Sequence, residues 1–255
     1  MLITVVGHLL AVAIGISLGL IGGGGSILAV PILVYVMGIG SKEAIAMSLF
    51  IVGIVSSIGA IPHWFQGNVN LKTVAMFTPA AMVGSFLGAR LTALPWITDT
   101  IQLIAFGVVM ILASVLMIRK QENKIPAPRE GKPHPTYPKW LAIPAEGLAV
   151  GILTGFVGVG GGFLIIPALV LLGGIPMKEA IGTSLLIITF KSVTGFLGYI
   201  DQVTVDWGLM FSFTLAASIG TWGGASLTRY IDGKKLQKGF GYFVLAIAVF
   251  VLIQR

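Results

Sequence analysis

The 255-residue chain contains no cysteine, so disulfides, thiolate nucleophiles and cysteine-ligated metals are excluded. Charge is scarce as well. Only 10% of the residues are Asp, Glu, Lys or Arg, against about 25% in an average soluble domain, too few to clothe a water-facing surface. The three histidines have no His/Glu cluster at metal-ligand spacing around them, and no nucleophile stands beside a base in sequence. No basic n-region precedes the first apolar run, which therefore reads as membrane segment rather than signal peptide. The net charge of +7 would suggest nucleic acid in a soluble protein. Here Lys and Arg fall in loops, where they mark the cytoplasmic side of a membrane protein, and no nucleic-acid partner is expected.

What the chain has is apolar length. It is 56% hydrophobic with a mean hydropathy of +1.00. Several runs approach the roughly 20 residues that a helix needs to cross the hydrocarbon core. They are continuous rather than alternating in segments of about 10 residues, so helices are expected and not a β-barrel. The segments are 2–37, 43–61, 71–91, 98–118, 140–172, 178–199, 206–228 and 236–253. Between them, 119–139 is rich in charge and carries Pro126, Pro128, Pro133, Pro135 and Pro138, which forbid a packed helix and mark a linker. Two membrane repeats, 1–118 and 140–255, are expected on either side of it.

The halves are copies. A shift of 136 positions lays Gly19 on Gly155, Gly22 on Gly158, Gly24 and Gly25 on Gly160 and Gly161, and Pro31 on Pro167. Lys42-Glu43-Ala44-Ile45 falls on Lys178-Glu179-Ala180-Ile181, and Ser48 on Ser184. Gly59, Gly84 and Gly88 meet Gly195, Gly220 and Gly224. If each glycine-broken block is a hairpin, each half crosses the membrane an odd number of times and the second half is upside down. With the linker in the cytoplasm, Lys72, the linker cations, Lys178, Arg229, Lys234, Lys235 and Lys238 all fall inside. Only Lys42, Arg90 and Arg255 fall outside, beside Asp99, Asp201 and Asp206. The positive-inside bias thus predicts an all-α membrane protein of two inverted-topology repeats, each a glycine-broken hairpin plus three transmembrane helices, with both termini outside.

The glycine breaks are the first candidate site: Gly22, Gly23, Gly24, Gly25 and Ser26 in one half, Gly158, Gly160, Gly161 and Gly162 in the other. Consecutive glycines cost a helix about 1 kcal/mol each relative to Ala and let the chain turn. The pieces that follow, 27–37 and 163–172, are too short to span, and Pro31 and Pro167 are expected about a turn into them. The exposed N–H groups at such an end attract anions. The other reading, close helix packing, fits Gly84-x-x-x-Gly88 and Gly220-x-x-x-Gly224 better. No Gly-Lys-Ser/Thr follows either run, so a nucleotide phosphate loop is not expected.

Lys191 is the one charge deep in an expected span. Helical spacing sets Ser184, Lys191, Thr194 and Gly198 on one face with Thr183 at its edge, a stripe suited to lining an anion path. Lys191 could instead snorkel to the outer surface. Ser48 and Ser184 could donate to substrate, or bond a carbonyl one turn back. His63, past the end of its segment, reads as an interfacial loop histidine or as a proton carrier. His8 lies deeper, without a visible partner, and His134 falls in the linker.

The twin motif Gly19-Leu-Ile-Gly-Gly-Gly-Gly-Ser-Ile-Leu-Ala-Val-Pro31 and Gly155-Phe-Val-Gly-Val-Gly-Gly-Gly-Phe-Leu-Ile-Ile-Pro167, each followed by Lys-Glu-Ala and then Ser, resembles the TauE/SafE family of membrane transporters. The resemblance spans nearly the whole chain. It implies a multi-pass protein of a prokaryotic plasma membrane that moves sulfur-containing anions or organic acids. The expectation is a secondary carrier, with no cofactor and no ATP-binding cassette, that exports an oxyanion such as sulfite or a small sulfonate. Gly22 to Ser26 and Gly158 to Gly162 would bind it, with Lys191, Ser48, Thr183 and Ser184. Export would follow the negative-inside potential, about 2.3 kcal/mol per charge per 100 mV, and import would need a coupling ion such as H⁺. A passive anion channel, a carboxylate transporter and an intramembrane enzyme or accessory subunit are the alternatives. Val159, which interrupts the second glycine run, and Gly162 in the place of Ser26 distinguish the two copies.

Overall fold

The computed structural model describes residues 2–94, 96–122, 139–157 and 162–253, and every regular element among them is helical. Helix α1 (Leu2–Ile21) ends in a tight 3-10 turn, Gly22–Gly25, and is followed by α2 (Ser26–Pro31), whose last turn widens to π-helix over Ile32–Val36. Then come α3 (Ser41–Phe65), α4 (Leu71–Leu91) and α5 (Asp99–Glu122). The second half holds α6 (Lys139–Val157), α7 (Gly162–Pro167) with π-helix at Ala168–Leu172, α8 (Met177–Tyr199), α9 (Trp207–Leu227) and α10 (Gly233–Ile253).

The local chemistry explains these bounds. Asn70 accepts from the Thr73 N–H at the start of α4, and Asp206, its repeat mate, accepts from Leu209 N–H at the start of α9, both at 3.0 Å. Gly38 (φ +71°) and Gly174 (φ +67°), also mates, carry the chain out of the two π-helical ends. Two boundaries differ from expectation. Helix α3 runs through Pro62 to Phe65, and α5 continues to Glu122, into the expected linker. The rest of that linker, 123–138, lies outside the described residues.

Among the described residues five helices are long and apolar enough to cross a membrane: Thr4–Ile21, Ser41–Phe65, Leu71–Leu91, Thr100–Arg119 and Met177–Tyr199. Helix α9 is not among them, because Gly, Ser, Thr and Trp dilute it.

Packing repeats under the exchange of halves. Gly15 lies against Ala217 as Gly151 lies against Ala81; Gly19 meets Thr221 as Gly155 meets Ser85; Gly84 meets Leu148 as Gly220 meets Val12. At each of these a methyl would strike a neighbouring carbonyl, so α1 seats on α9, and α6 on α4, with backbones nearly touching. The close-packing reading of Gly84/Gly88 and Gly220/Gly224 is therefore the observed one. The mated helices α3 and α8 run antiparallel: Gly195 packs on Leu49, Gly53 on Ser192 and Gly59 on Leu185. Helices α5 and α10 do the same, with Gly107 on Leu252 and Gly241 on Ile118. The first break reverses the chain, because Gly7, in the first third of α1, lies against Met37.

Polar residues gather at two ends. At one, Asn70 Nδ2 donates to Glu179 (2.8 Å) and Lys178 to the Arg229 carbonyl (3.3 Å). At the other, Lys42 donates to the Thr92 carbonyl (3.3 Å) and Arg90 pairs with Asp201 at 2.6 Å. That guanidinium bond holds the exposed Asp201 carboxyl below the usual carboxylate range.

Candidate functional site

The site is built from the first break outward. Gly22 has φ +68°, a left-handed conformation that glycine adopts without strain. It opens the turn, and the Ser26 hydroxyl ties the turn shut by donating to the Gly23 carbonyl (2.5 Å). Gly25 rests on the Leu18 backbone, which folds α2 back onto α1. Gly24 completes the run. A methyl on Gly23 would overlap the backbone of Gly162, the first residue of α7, and a methyl on Gly162 would overlap Gly23. The first break therefore abuts the start of the second short helix, glycine against glycine. Gly158, Gly160 and Gly161 lie outside the described residues.

Pro31 and Pro167 are the last residues of α2 and α7, a little over a turn into the short helices that continue as π-helix, as expected. A proline there has no N–H to give. Beyond each, bonding widens to i→i+5, with Met37 N–H to Ile32 O at 3.1 Å and Gly173 N–H to Ala168 O at 3.0 Å.

One face of α8 passes along this junction. A methyl on Gly22 would sit 2.9 Å from Ser184 Oγ, one on Gly162 would strike Ile188, and Lys191 follows one turn on. Lys191 is 0% exposed, so it does not snorkel. Its Nζ donates to Thr154 Oγ1 on α6 at 2.6 Å, and Thr154 donates in turn to the Gly151 carbonyl at 3.2 Å.

Other expected positions resolve differently. Ser184 and Ser48 donate to the Ile181 and Ile45 carbonyls, each at 2.8 Å, which is the local alternative of a bond one turn back. Thr183 accepts the Asn70 N–H (2.9 Å) and so holds the start of α4. Thr194 donates to the Met82 carbonyl (3.1 Å), and Gly198 packs on Ala89. The far end of the expected stripe is thus seated on α4. His63 is no loop residue: it is 0% exposed inside α3, with Nε2 3.1 Å from the Gly19 carbonyl. Its mate Tyr199 donates to the Gly155 carbonyl at the same 3.1 Å, so both halves fix the helix end before the break by one device.

Two residues escaped the sequence reading. Thr154 is the partner of Lys191. Ser85 is buried with an unpartnered hydroxyl that lies against Gly195, one turn past Lys191. The shift of 136 positions could have found the pair, since it places Thr154 on Leu18 and Lys191 on Val55, two polar residues on two apolar ones.

A family model described as Sulfite exporter TauE/SafE matches residues 8–251. A probable membrane transporter protein of Xylella fastidiosa (strain 9a5c) is 35% identical over 243 residues, 94% of this chain and 91% of its own length. The probable membrane transporter protein YdhB of Bacillus subtilis is 30% identical over 241 residues, covering 94% and 96%. No solved structure matches the chain.

Proposed function

The chain belongs to the TauE/SafE family of membrane transporters, and from that premise we propose that it is a secondary carrier of small anions, sulfite or small organosulfonates first among them. The observation that carries this reading is the contact of the first glycine break with the start of α7, Gly23 against Gly162. Backbone that leaves helical pairing within a membrane needs a protein or solute partner, and here the two halves supply it to each other. An anion would enter when the contact opens, taking bonds from Gly22 to Ser26, from Gly158 to Gly162 and from Lys191. Ser48 and Ser184 would add theirs by turning from their local carbonyls.

In this reading the halves are inverted across the bilayer. The antiparallel α3–α8 and α5–α10 pairs support it, as does the sorting of Lys178 and Arg229 to one end and of Arg90 and Asp201 to the other. Residues 119–139 face the cytoplasm and both termini face out, in the inner membrane of a prokaryote. Net export follows when the anion accumulates inside.

The test is counterflow into proteoliposomes of the purified chain, with sulfite, thiosulfate, sulfonates and carboxylates in turn. Saturable exchange of at least one sulfur oxyanion is expected. Vesicles that exchange none of these anions, with the protein folded, refute the carrier.

A further inference from the structure

Lys191 is enclosed, and its one described bond goes to a neutral hydroxyl. An ammonium has three N–H donors to place and a charge that needs compensation. Among the described residues no carboxylate is paired with it. The elements packed on this stretch carry Glu146 on α6, Lys72 and Arg90 on α4, Lys42, Glu43 and His63 on α3, and the lysines that open α10. Glu146 is eight residues from Thr154, about 12 Å along the helix. Arg90 is bonded to Asp201, Lys42 to Thr92 and His63 to Gly19. The Gly22–Gly25 turn and α7 carry no titratable group.

Beside the lysine a second polar group is left over. Ser85 Oγ is buried without a partner against Gly195, and the Ser85 backbone lies against Gly155, the residue after Thr154. The matching place in the first half is filled by Leu18, Val55 and Thr221, the last with its hydroxyl given to the Gly15 carbonyl. The fold closes there with two aliphatic side chains and a threonine whose hydroxyl is satisfied, so packing does not require Lys191 and Thr154, nor an unpartnered hydroxyl at Ser85.

We propose that these three residues form a joint proton-and-anion site: Lys191 is a neutral amine when the site is empty and takes up one proton with one anion. A monovalent oxyanion then crosses as an electroneutral pair with H⁺. This rests on the carrier reading and adds its coupling. On loading, the amine lone pair accepts a proton from water on the side the anion enters from, the hydroxide staying behind in that solution; the resulting ammonium donates to an anion oxygen, and the Ser85 hydroxyl donates to another. On release the ammonium returns that proton to the water that receives the anion. Nothing is oxidised or reduced. Flux then obeys the anion gradient and the pH gradient together, and export proceeds when the cytoplasmic excess of anion outweighs the proton gradient.

The experiment uses the full chain in proteoliposomes and labelled methanesulfonate, an anion that stays singly charged. A pH step of one unit, alkaline inside, with the potential clamped at zero, should raise internal label about tenfold over external, one proton per anion. A potassium diffusion potential at equal pH should drive no accumulation. The K191V/T154L double variant, which rebuilds the first half's Val55 and Leu18, should lose the pH-driven accumulation while its melting temperature stays near that of the wild type. Accumulation that follows the potential and ignores the pH step overturns this inference and leaves the carrier standing. So does a folded double variant that still concentrates label on the pH step. No methanesulfonate flux in any arm from folded wild type overturns this inference, and the carrier reading falls with it only if the counterflow panel of sulfur anions and carboxylates also shows no exchange.

Discussion

Thr154→Leu isolates the energetics of the buried lysine. The substitution removes the acceptor at 2.6 Å and leaves Lys191 Nζ enclosed with no partner among the described residues. If the amine is neutral, the loss is that of one orphaned buried donor, about 1–3 kcal/mol. If it is charged, the loss is that of a buried ion left alone, about 3–5 kcal/mol. Lys191→Val leaves no such orphan, since Thr154 keeps its bond to the Gly151 carbonyl at 3.2 Å. In the double variant the leucine refills part of the space that the lysine vacates, and stability should return to within about 1 kcal/mol of wild type. For a chain of this length about 1 kcal/mol shifts a melting midpoint by roughly 2–4 °C. A neutral amine therefore predicts that T154L melts about 4–8 °C lower for a loss near 2 kcal/mol, with most of that recovered in K191V/T154L. Tryptophan fluorescence against temperature in detergent reads both. A T154L protein as stable as wild type, or a double variant weaker than either single one, refutes the reasoning.

Gly23→Ala drives a methyl into Gly162, so transport should fall at least tenfold in a counterflow assay while the helices remain. Gly22→Ala must hold φ +68°, at a cost of about 1–2 kcal/mol, and should lower the melting temperature, whereas Gly223→Ala, with nothing within 4 Å, should not. Asp201 titrates below its usual range because Arg90 bonds it, so this pair stabilises the fold above the unfolded carboxyl value and the stabilisation is lost as pH falls through the folded one. The melting difference between wild type and R90Q should accordingly vanish in strong acid and shrink in high salt, as calorimetry can check. His63→Tyr copies the Tyr199 bond to a carbonyl and should fold, and His63→Leu should be less stable by thermal melting.

The helices and the first turn were legible in the sequence, because apolar length and glycine runs act locally; the second glycine run, Gly158 to Gly161, lies outside the described residues. The register of the shift even predicted which glycines share a role. The bonding of single side chains was not legible. Ser184 and Thr194 share a helical face by spacing, yet Thr194 spends its hydroxyl on the Met82 carbonyl of another helix. His63 looked like a loop residue because it falls past the apolar segment that ends at residue 61, but the helix continues through Pro62 to Phe65 and carries the ring inward. Lys191 was visible as a charge at depth. Thr154 was not, because an isolated threonine in an apolar run carries no periodicity.

The exchange of first and third helices between halves has a consequence for the integrity of the particle. Neither half covers its own surface: α1 is roofed by α9, and α4 by α6. The covalent connection between them is then dispensable in principle, and a chain cut within 123–138 would keep its mutual clasp. Removing either partner would strip the other of its main neighbour, so two co-produced fragments should reassemble where a lone fragment is degraded.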